Sequence, residues 1–291
     1  MVRKNIILNV SIEGKMSLAT KKSKNPIVFL KTVKNNRELI YELIKRDIAS
    51  RYQGSVIGFM WSFINPIIML SVYTFVFSVV FKARWSADST GSKTEFALIL
   101  FSGLLVYNLF SECLNKSPGL ILSNVNYVKK VIFPLEILPF VVLGTAFFHM
   151  LISFVVWVIF YLIFFGIPHV TIFLFPLTLI PLMFLIIGLS LFLSALGVYL
   201  RDIGQIIILV TTVLMFMSPI FYPIQALPDN FKIIMEFNPL TFIIEQVRAV
   251  IIFGNSIQWQ KWGVWTIVSM IITCFGFAWF QKTRGGFSDV L

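Results

Sequence analysis

The sequence has little charge, and a long central stretch has none. Only 13% of its 291 residues are Asp, Glu, Lys or Arg, about half the usual share in soluble proteins. Residues 137–200 contain no charged side chain, and 58% of the whole chain is hydrophobic. A soluble fold cannot bury an uncharged block of this length, whereas one transmembrane helix needs roughly 20 apolar residues. The sequence therefore predicts an integral membrane protein, with two spans in this block.

Motifs for catalysis and metal binding are also missing. The phosphate-binding pattern G-x-x-x-x-G-K-[ST] does not occur, so we expect no ATP binding through it. The histidines His149 and His169 stand alone in the sequence, and the predicted spans are poor in carboxylates, unlike those of proton-driven carriers. The two cysteines, Cys113 and Cys274, are far apart and predict buried free thiols rather than a disulfide. We predict no catalytic residue, metal site or cofactor in this chain.

The net charge of +11 does not indicate a nucleic-acid-binding protein. Twelve of the 24 basic residues lie within the first 51 positions, and no nucleic-acid-binding motif accompanies them. Basic residues beside a span instead keep that flank in the cytosol or contact anionic lipid. We therefore expect membrane lipids as partners and no nucleic acid.

Before the first span, two segments differ in pattern. Residues 1–35 are polar and Lys-rich and predict a loosely ordered cytosolic tail. Residues 36–53 place apolar side chains on one stripe and charged ones opposite, which predicts an amphipathic helix at the membrane interface. The alternative is a basic flank that only sets topology. The rest of the chain, residues 54–291, is predicted to be the membrane domain.

The predicted fold is all-α, with six transmembrane helices and a re-entrant helical hairpin before the last span. The expected spans are residues 56–81, 96–115, 136–165, 171–200, 206–221 and 262–281. A polar cytosolic segment, 116–134, and an external re-entrant region, 222–255, connect them; in the latter, Glu245 and Arg248 are expected to pair. This topology puts 18 of the 24 basic residues and both termini in the cytosol. A bacterial inner-membrane location is expected.

Aromatic residues are abundant, with 31 Phe, 8 Tyr and 7 Trp. Several recur about one helical turn apart in the first two predicted spans. Their ordinary roles are lipid contact and packing. The functional alternative is the wall of a sugar pathway, in which aromatic faces stack on sugars without holding them as tightly as charges would. The candidate wall residues are Phe59, Trp61, Tyr73, Phe77, Phe81, Tyr107 and Phe110.

Four ordered motifs carry a resemblance to a known family. They are LIKRDIASRYQGSVIGFMWSFINP (43–66), VKKVIFPLEILP (128–139), MSPIFYP (217–223) and FNPLTFIIEQVRAVI (237–251). Together they resemble the permeases of type-2 ABC exporters that move bacterial surface polysaccharides. The resemblance covers about residues 37–291 and excludes the N-terminal tail.

This resemblance implies a homodimeric transport subunit, not an enzyme, working with two copies of a separate ABC ATPase that binds ATP and magnesium. It implies a lipid-linked polysaccharide as substrate, with O-antigen favoured and teichoic acid or capsule as alternatives within the family. The sugar path would lie near the dimer interface. A passive channel or scaffold, and a proton-coupled carrier dependent on His149 or Glu136, are the alternatives from other classes.

The resemblance also implies where the chain meets its partners. The interfacial helix at 37–53 and a cytosolic helix within 117–133 would contact the ATPase. The coupling residues would be Glu38, Glu42, Asn124, Asn126, Tyr127, Lys129 and Lys130. Arg46 and Arg51 lie where guanidinium groups would meet a lipid diphosphate. The alternative for these arginines is anchoring to anionic phospholipid, which the residues favour slightly.

Overall fold

The computed structural model describes residues 26–80, 85, 93–128 and 133–291, and these residues form helices and connecting turns without a strand. The all-α prediction is confirmed. Phe81, Lys129 and Lys130, together with residues 1–25 of the predicted tail, lie outside the described residues. In chain order the helices are α1 (Pro26–Asn35), α2 (Arg37–Tyr52), α3 (Trp61–Tyr73), α4 (Lys93–Lys116), α5 (Val125–Val128), α6 (Leu138–Phe165), α7 (Phe175–Thr178), α8 (Ile180–Tyr199), α9 (Ile203–Phe216), α10 (Asp229–Glu236), α11 (Pro239–Ile251), α12 (Trp259–Thr283) and α13 (Phe287–Val290).

Five helical stretches are long and apolar enough to cross a membrane. They are Gly58–Phe77, Thr94–Lys116, Leu135–Phe165, Val170–Tyr199 and Trp259–Val290. The prediction of a multi-pass membrane protein is therefore confirmed. The predicted fifth span corresponds to α9, which has 14 residues and is about 21 Å long at 1.5 Å per residue. Because this is shorter than a hydrocarbon core of about 30 Å, the count of six spans stays a prediction.

The N-terminal region contains more structure than the sequence indicated. The prediction of a loosely ordered tail is wrong for residues 26–35, which form α1. Phe29 is buried, and its ring centroid lies 4.4 Å from that of Phe277 and 5.5 Å from that of Phe140. A single aromatic anchor thus attaches α1 to two helices of the bundle.

The predicted interfacial helix is present as α2 and lies against the start of α6. Leu43 is buried against Ile137 and Val141. Ile44 fills the space above Gly144, where a Cβ atom would overlap with the isoleucine side chain. The apolar stripe that predicted membrane contact therefore packs partly on protein, while Glu38, Glu42 and Arg46 remain exposed.

The first apolar helix is not regular along its length. A short 3-10 turn, Gly58–Met60, leads into α3, which continues through Pro66 to Tyr73. Residues Thr74–Val80 then form a wider π-helix, an arrangement that is rare and often marks functional sites. The helix thus changes its hydrogen-bonding pattern beyond Tyr73, about two turns after Pro66.

The centre of the bundle is α4, which packs against α6, α8, α9 and α11. Its side chains are buried over most of its length, including Leu100, Val106 and Cys113. The indole Nε1 of Trp157 on α6 donates a 3.0 Å hydrogen bond to the carbonyl oxygen of Leu98. Cys113 is a free thiol, as predicted; Cys274 is free too, but it is exposed on the protein surface instead of buried.

The helices α8 and α12 approach each other closely through glycines. A Cβ atom added to Gly188 would lie 2.7 Å from the Cα atom of Thr273, and one added to Gly276 would overlap with the Gly188 carbonyl oxygen. The Thr273 hydroxyl donates to the Phe184 carbonyl oxygen at 2.7 Å. Close backbone approach through small residues is a main source of helix association in lipid.

The region before the last long helix folds as two short helices, as predicted. Asn238 caps α11, because its Oδ1 atom accepts from the Leu240 backbone N–H at 3.0 Å. The predicted pair is present, with 3.1 Å between Arg248 Nη1 and Glu245 Oε1. Most of α11 is buried against α4, so protein surrounds this backbone, as a re-entrant segment requires.

Candidate functional site

A cavity of about 430 Å³ lies between the end of α2 and helices α3, α4 and α6. It is unusual for the interior of an apolar bundle because many of its lining side chains are polar. Those polar residues are Arg51, Tyr52, Ser62, Asn65, Tyr73, Asn108, Ser111, Glu112, Asn115, His149 and Ser153. Amides and hydroxyls both donate and accept hydrogen bonds. The lining therefore suits a hydroxyl-rich or phosphate-bearing group.

Four side chains form a charged cluster at this cavity. Arg51 Nη2 lies 2.8 Å from Glu112 Oε1, and Lys116 Nζ lies 3.0 Å from the same oxygen. Arg51 Nη1 is also 2.6 Å from Nδ1 of His149. One carboxylate thus faces two cations, which leaves the cluster with a net positive charge when the histidine is neutral. Such a cluster attracts anions.

The positions of these residues follow from local structure. Arg51 lies in the last turn of α2, and the docking of Leu43 and Ile44 on α6 directs that end of the helix toward the cavity. Glu112 and Lys116 are four residues apart on α4 and therefore share one face. A carboxylate in a membrane helix is costly unless it is paired. The two cations provide that pairing.

Arg51 is the member of the cluster best placed to bind an incoming anion. Arg51 lines the cavity and its side chain is 42% exposed, whereas the Lys116 side chain is 39% exposed but does not line the cavity. A guanidinium presents five N–H donors in a planar fork that fits carboxylate and phosphate equally well. Arg51 can therefore exchange Glu112 for a phosphate group, while Lys116 retains the carboxylate.

The polar segment after α4 is held at both ends. Ser117 Oγ donates to Ser190 Oγ at 2.8 Å, and the Pro118 backbone fits against Gly197, where a Cβ atom would overlap with it. At the other end, Arg284 Nη1 pairs with Glu136 Oε2 at 2.7 Å. Movement of this segment would therefore be transmitted to α8 and to the C-terminal residues.

The predicted pair partner Arg248 belongs to a larger buried network. Its guanidinium is 0% exposed and donates to the carbonyl oxygens of Ile99, Pro219 and Ile220 as well as to Glu245. The indole of Trp85 covers it, with 4.4 Å between Cζ and the ring centroid. Burial lowers the pKa of Arg248 to about 10, and Glu245 opposes the shift, so the side chain remains charged at neutral pH. Arg248 thereby connects α11, α4 and the turn after α9.

The predicted aromatic wall does not form one surface within the chain. Tyr73 lines the cavity, and Phe59 and Trp61 are exposed near its α2 end. Tyr107 and Phe110 are buried in the core, where packing is their role within the chain. Phe77 stacks between Phe96 and Phe221 at centroid distances of 5.6 and 5.8 Å.

The residues expected to contact the ATPase occupy two separate surfaces. Glu38 and Glu42 are exposed on α2, and Asn126 is exposed on α5. Asn124 instead turns inward, since its Nδ2 atom donates to the Leu120 carbonyl oxygen at 2.9 Å. Tyr127 stacks on Phe133 at 4.2 Å. Asn124 and Tyr127 thus make contacts within the segment between α4 and α6 and stabilise it internally.

Sequence reasoning missed Glu112 and Lys116 and considered His149 only for a proton-coupled carrier. The spacing of Glu112 and Lys116, four apart at the end of a predicted span, was a usable signal. The contact between His149 and Arg51 joins residues 98 positions apart. A local sequence pattern does not predict such a contact, because the contact depends on how α2 docks against α6.

These features define a multi-pass membrane protein with a polar cavity near one end of its helix bundle and a segment beside it fixed between two helices. Residues 38–252 match the ABC-2 type transporter family. The chain belongs to this family, and the resemblance seen in the four sequence motifs is confirmed.

Relatives with assigned roles match most of the chain. The O-antigen export system permease protein RfbA of Klebsiella pneumoniae is 24% identical over 255 residues, covering 87% of this chain and 95% of the relative. RfbA of Myxococcus xanthus is 26% identical over 216 residues, covering 74% and 80%. The polysialic acid transport protein KpsM of Escherichia coli is 23% identical over 240 residues, covering 79% and 88%.

Proposed function

We propose that this chain is the membrane-spanning permease subunit of an ATP-driven exporter. The exporter moves a lipid-linked surface polysaccharide out of the cytosol, and an O-antigen is the favoured substrate. The observation that carries the proposal is the family match over residues 38–252, together with relatives named as O-antigen export permeases that align along most of their length. The similarity to a polysialic acid transport protein makes capsule export the second candidate.

The size of the cavity favours a path built from two copies of the chain. A cavity of about 430 Å³ is of the size that holds one small ligand. It cannot enclose a polymer that crosses about 30 Å of hydrocarbon. We propose that two copies pair and that the path runs between them. The exposed faces of α3 and α9, which include Phe63, Val72, Leu209 and Phe216, are available for this contact.

The cavity itself is proposed to receive the phosphate end of the carrier lipid. A lipid diphosphate brings two negative charges to a site where Arg51 and Lys116 face a single carboxylate. The neighbouring amides and hydroxyls would hydrogen-bond the first sugar. Arg46 is exposed and outside the cavity lining, so we assign it to anionic phospholipid headgroups.

The energy source is proposed to be a separate ABC ATPase, present in two copies, that binds ATP and magnesium. The exposed carboxylates of Glu38 and Glu42 and the surface of α5 are its proposed contacts. This arrangement requires both termini in the cytosol and fits a bacterial inner membrane. Because α8 and the C-terminal residues hold the segment between α4 and α6, a push on α5 would reach the bundle directly.

The proposal is tested by deletion and by purification from the native host. Deleting the gene should leave complete lipid-linked polymer in the cytosol and none at the surface, and an affinity-tagged chain should bring an ABC ATPase with it. Normal surface polymer in the deletion strain would contradict the assignment. A tagged chain that brings no ATPase under conditions that preserve its own dimer would favour a passive channel.

The Arg51–Glu112 pair gives a direct mutational test of the cavity. We expect Arg51→Ala with Glu112→Ala to lower export roughly tenfold, since a charge-assisted hydrogen bond contributes about 1.5–3 kcal/mol and 1.4 kcal/mol corresponds to tenfold. Removing both partners avoids leaving the carboxylate without its arginine. Surface polymer is measured against the amount of inserted permease.

Arg46→Ala is the matched control, because Arg46 lies on the same helix but does not line the cavity. It should keep export close to the wild-type level. Equal losses in both variants would mean that α2 acts only through lipid or ATPase contact. Wild-type export in the double variant would exclude Arg51 from substrate handling.

A further inference from the structure

A second cavity, of about 660 Å³, lies between α10, α11 and the first turns of α12. None of its lining residues belongs to the cavity around Arg51. In the proposed orientation it faces the outside of the cell. Its size is within the range of sites that hold small ligands.

Side-chain amides are concentrated in the lining of this second cavity. The amide residues are Gln225, Gln246, Asn255, Gln258 and Gln260. Each amide offers an acceptor oxygen and two N–H donors, so it can satisfy a hydroxyl group in either role. Trp265, Phe242 and Phe253 also line the cavity and supply aromatic faces, which pair with the apolar C–H faces of sugar rings.

The charges around this cavity cancel. Lys232 and Lys261 are matched by Glu236 and Glu245, and Lys232 is already paired with Asp229 at 2.8 Å. An anion-binding site would need an excess of cations. The lining therefore selects a neutral, hydroxyl-rich ligand and differs in this respect from the cluster around Arg51.

The hydroxyl of Thr241 is an independent feature of this cavity wall. It lines the cavity, is 4% exposed, and its hydroxyl has no hydrogen-bond partner among the residues that the structure describes. Other buried threonines donate to a carbonyl three or four residues earlier, as Thr178 does to Phe175 and Thr145 to Val141. Thr241 is the third residue of α11, so both corresponding carbonyls belong to residues before the helix begins. Buried hydroxyls without a partner are rare in native proteins, and a ligand hydroxyl would satisfy this one.

The wall around Thr241 is already fixed in place. Gln246 Oε1 accepts from the Gln258 backbone N–H at 3.0 Å, and Gln246 Nε2 lies 3.4 Å from the Ser256 carbonyl oxygen. Arg248 holds Glu245 from the buried side of α11. A site with its side chains held before binding loses less entropy when the ligand arrives.

We infer that this second cavity is a glycan-binding subsite that takes a short stretch of neutral sugar units as the polymer leaves on the external side. The inference rests on the proposed function for its orientation and for the class of its ligand. Trp265 provides the stacking face, and Thr241 and the amides provide the hydrogen bonds.

The test uses the full chain with its partner ATPase in lipid nanodiscs. The probe is the polysaccharide that mild acid releases from the producing cell's own surface polymer, which lacks the lipid diphosphate that the Arg51 site is proposed to bind. We expect Trp265→Ala and Thr241→Val each to weaken probe binding about tenfold, the loss that one good contact causes. Gln260→Leu provides a further variant at an exposed position, in case Trp265→Ala fails to fold.

Trp259→Ala is the matched control, since Trp259 is an exposed aromatic at the same end of α12 but does not line the cavity. It should bind the probe as the wild type does. Wild-type binding by the Thr241 and Gln260 variants, equal loss in the control, or no probe binding at all would overturn the inference. ATP-driven export without probe binding would contradict the glycan-binding site and leave the proposed export function intact. Probe binding without ATP-driven export would support the glycan-binding site and contradict the proposed export function.

Discussion

Replacing Gly276 with leucine is expected to abolish accumulation of the folded permease. Its Cα faces the Gly188 backbone so closely that even a Cβ atom would overlap with a carbonyl oxygen. The atoms in the way belong to the backbone of another helix, so no rotamer change relieves the clash. Because α8 and α12 form the most extensive helix contact in the bundle, forcing them apart disrupts the fold. The readout is the amount of monodisperse protein after mild detergent extraction.

Two further variants test whether the loss comes from the contact at Gly276 or from adding a large side chain anywhere on α12. Gly276→Ala should destabilise the bundle by about 1–3 kcal/mol, the usual cost of overpacking, and should lower its melting temperature. Gly263→Leu lies on the same helix with no atom within 4 Å of an added Cβ, and it should accumulate normally. Normal accumulation of Gly276→Leu would show that α8 and α12 do not pack through these glycines.

Arg248→Met is expected to destabilise the protein by about 3–5 kcal/mol, the typical cost of breaking a buried charge network. The substitution leaves the carbonyl oxygens of Pro219 and Ile220 without their buried donor and leaves Glu245 unpaired. Because Arg248 joins α11 to α4 and to the turn after α9, the segment from that turn to the end of α11 should loosen first. Hydrogen exchange in nanodiscs should show increased exchange over residues 217–251.

Two variants test the cause of that loss. Adding Glu245→Gln to Arg248→Met should recover part of the stability, because the unpaired carboxylate is removed. Lys232→Met breaks an exposed pair, in which the Asp229 side chain is 94% exposed, and should have little effect on stability. Equal destabilisation by Lys232→Met would mean that any lost cation in this region weakens the fold.

Five of the six expected spans and their order could be predicted because they depend on composition. Residues 137–200 lack charge entirely, and a helix satisfies all of its own backbone hydrogen bonds in lipid. The two short helices after α9 and the Glu245–Arg248 pair were also predictable, since both depend on spacing within a short segment. The family was identifiable from four motifs, and the match over residues 38–252 confirms it.

Features that depend on distant contacts were not predictable. The helix α1 is anchored by Phe29 against Phe140 and Phe277, residues more than 100 positions away. The polar cavity depends on the meeting of Arg51, Glu112 and His149 from three helices. The aromatic pattern did not distinguish Tyr73, which lines the cavity, from Tyr107, which is buried in the core. Helical spacing shows which side chains share a face of a helix, but it does not show what that face packs against.

In the proposed function, this chain moves polymer only when a partner ATPase drives it. The most direct measurement reconstitutes the purified chain and its ATPase in vesicles and follows the transfer of lipid-linked polysaccharide to the opposite leaflet. Transfer should require both proteins and ATP, and it should stop when the ATPase cannot hydrolyse ATP. Equal transfer by the chain alone, or transfer that follows a proton gradient without ATP, would contradict the proposed ATP-driven export.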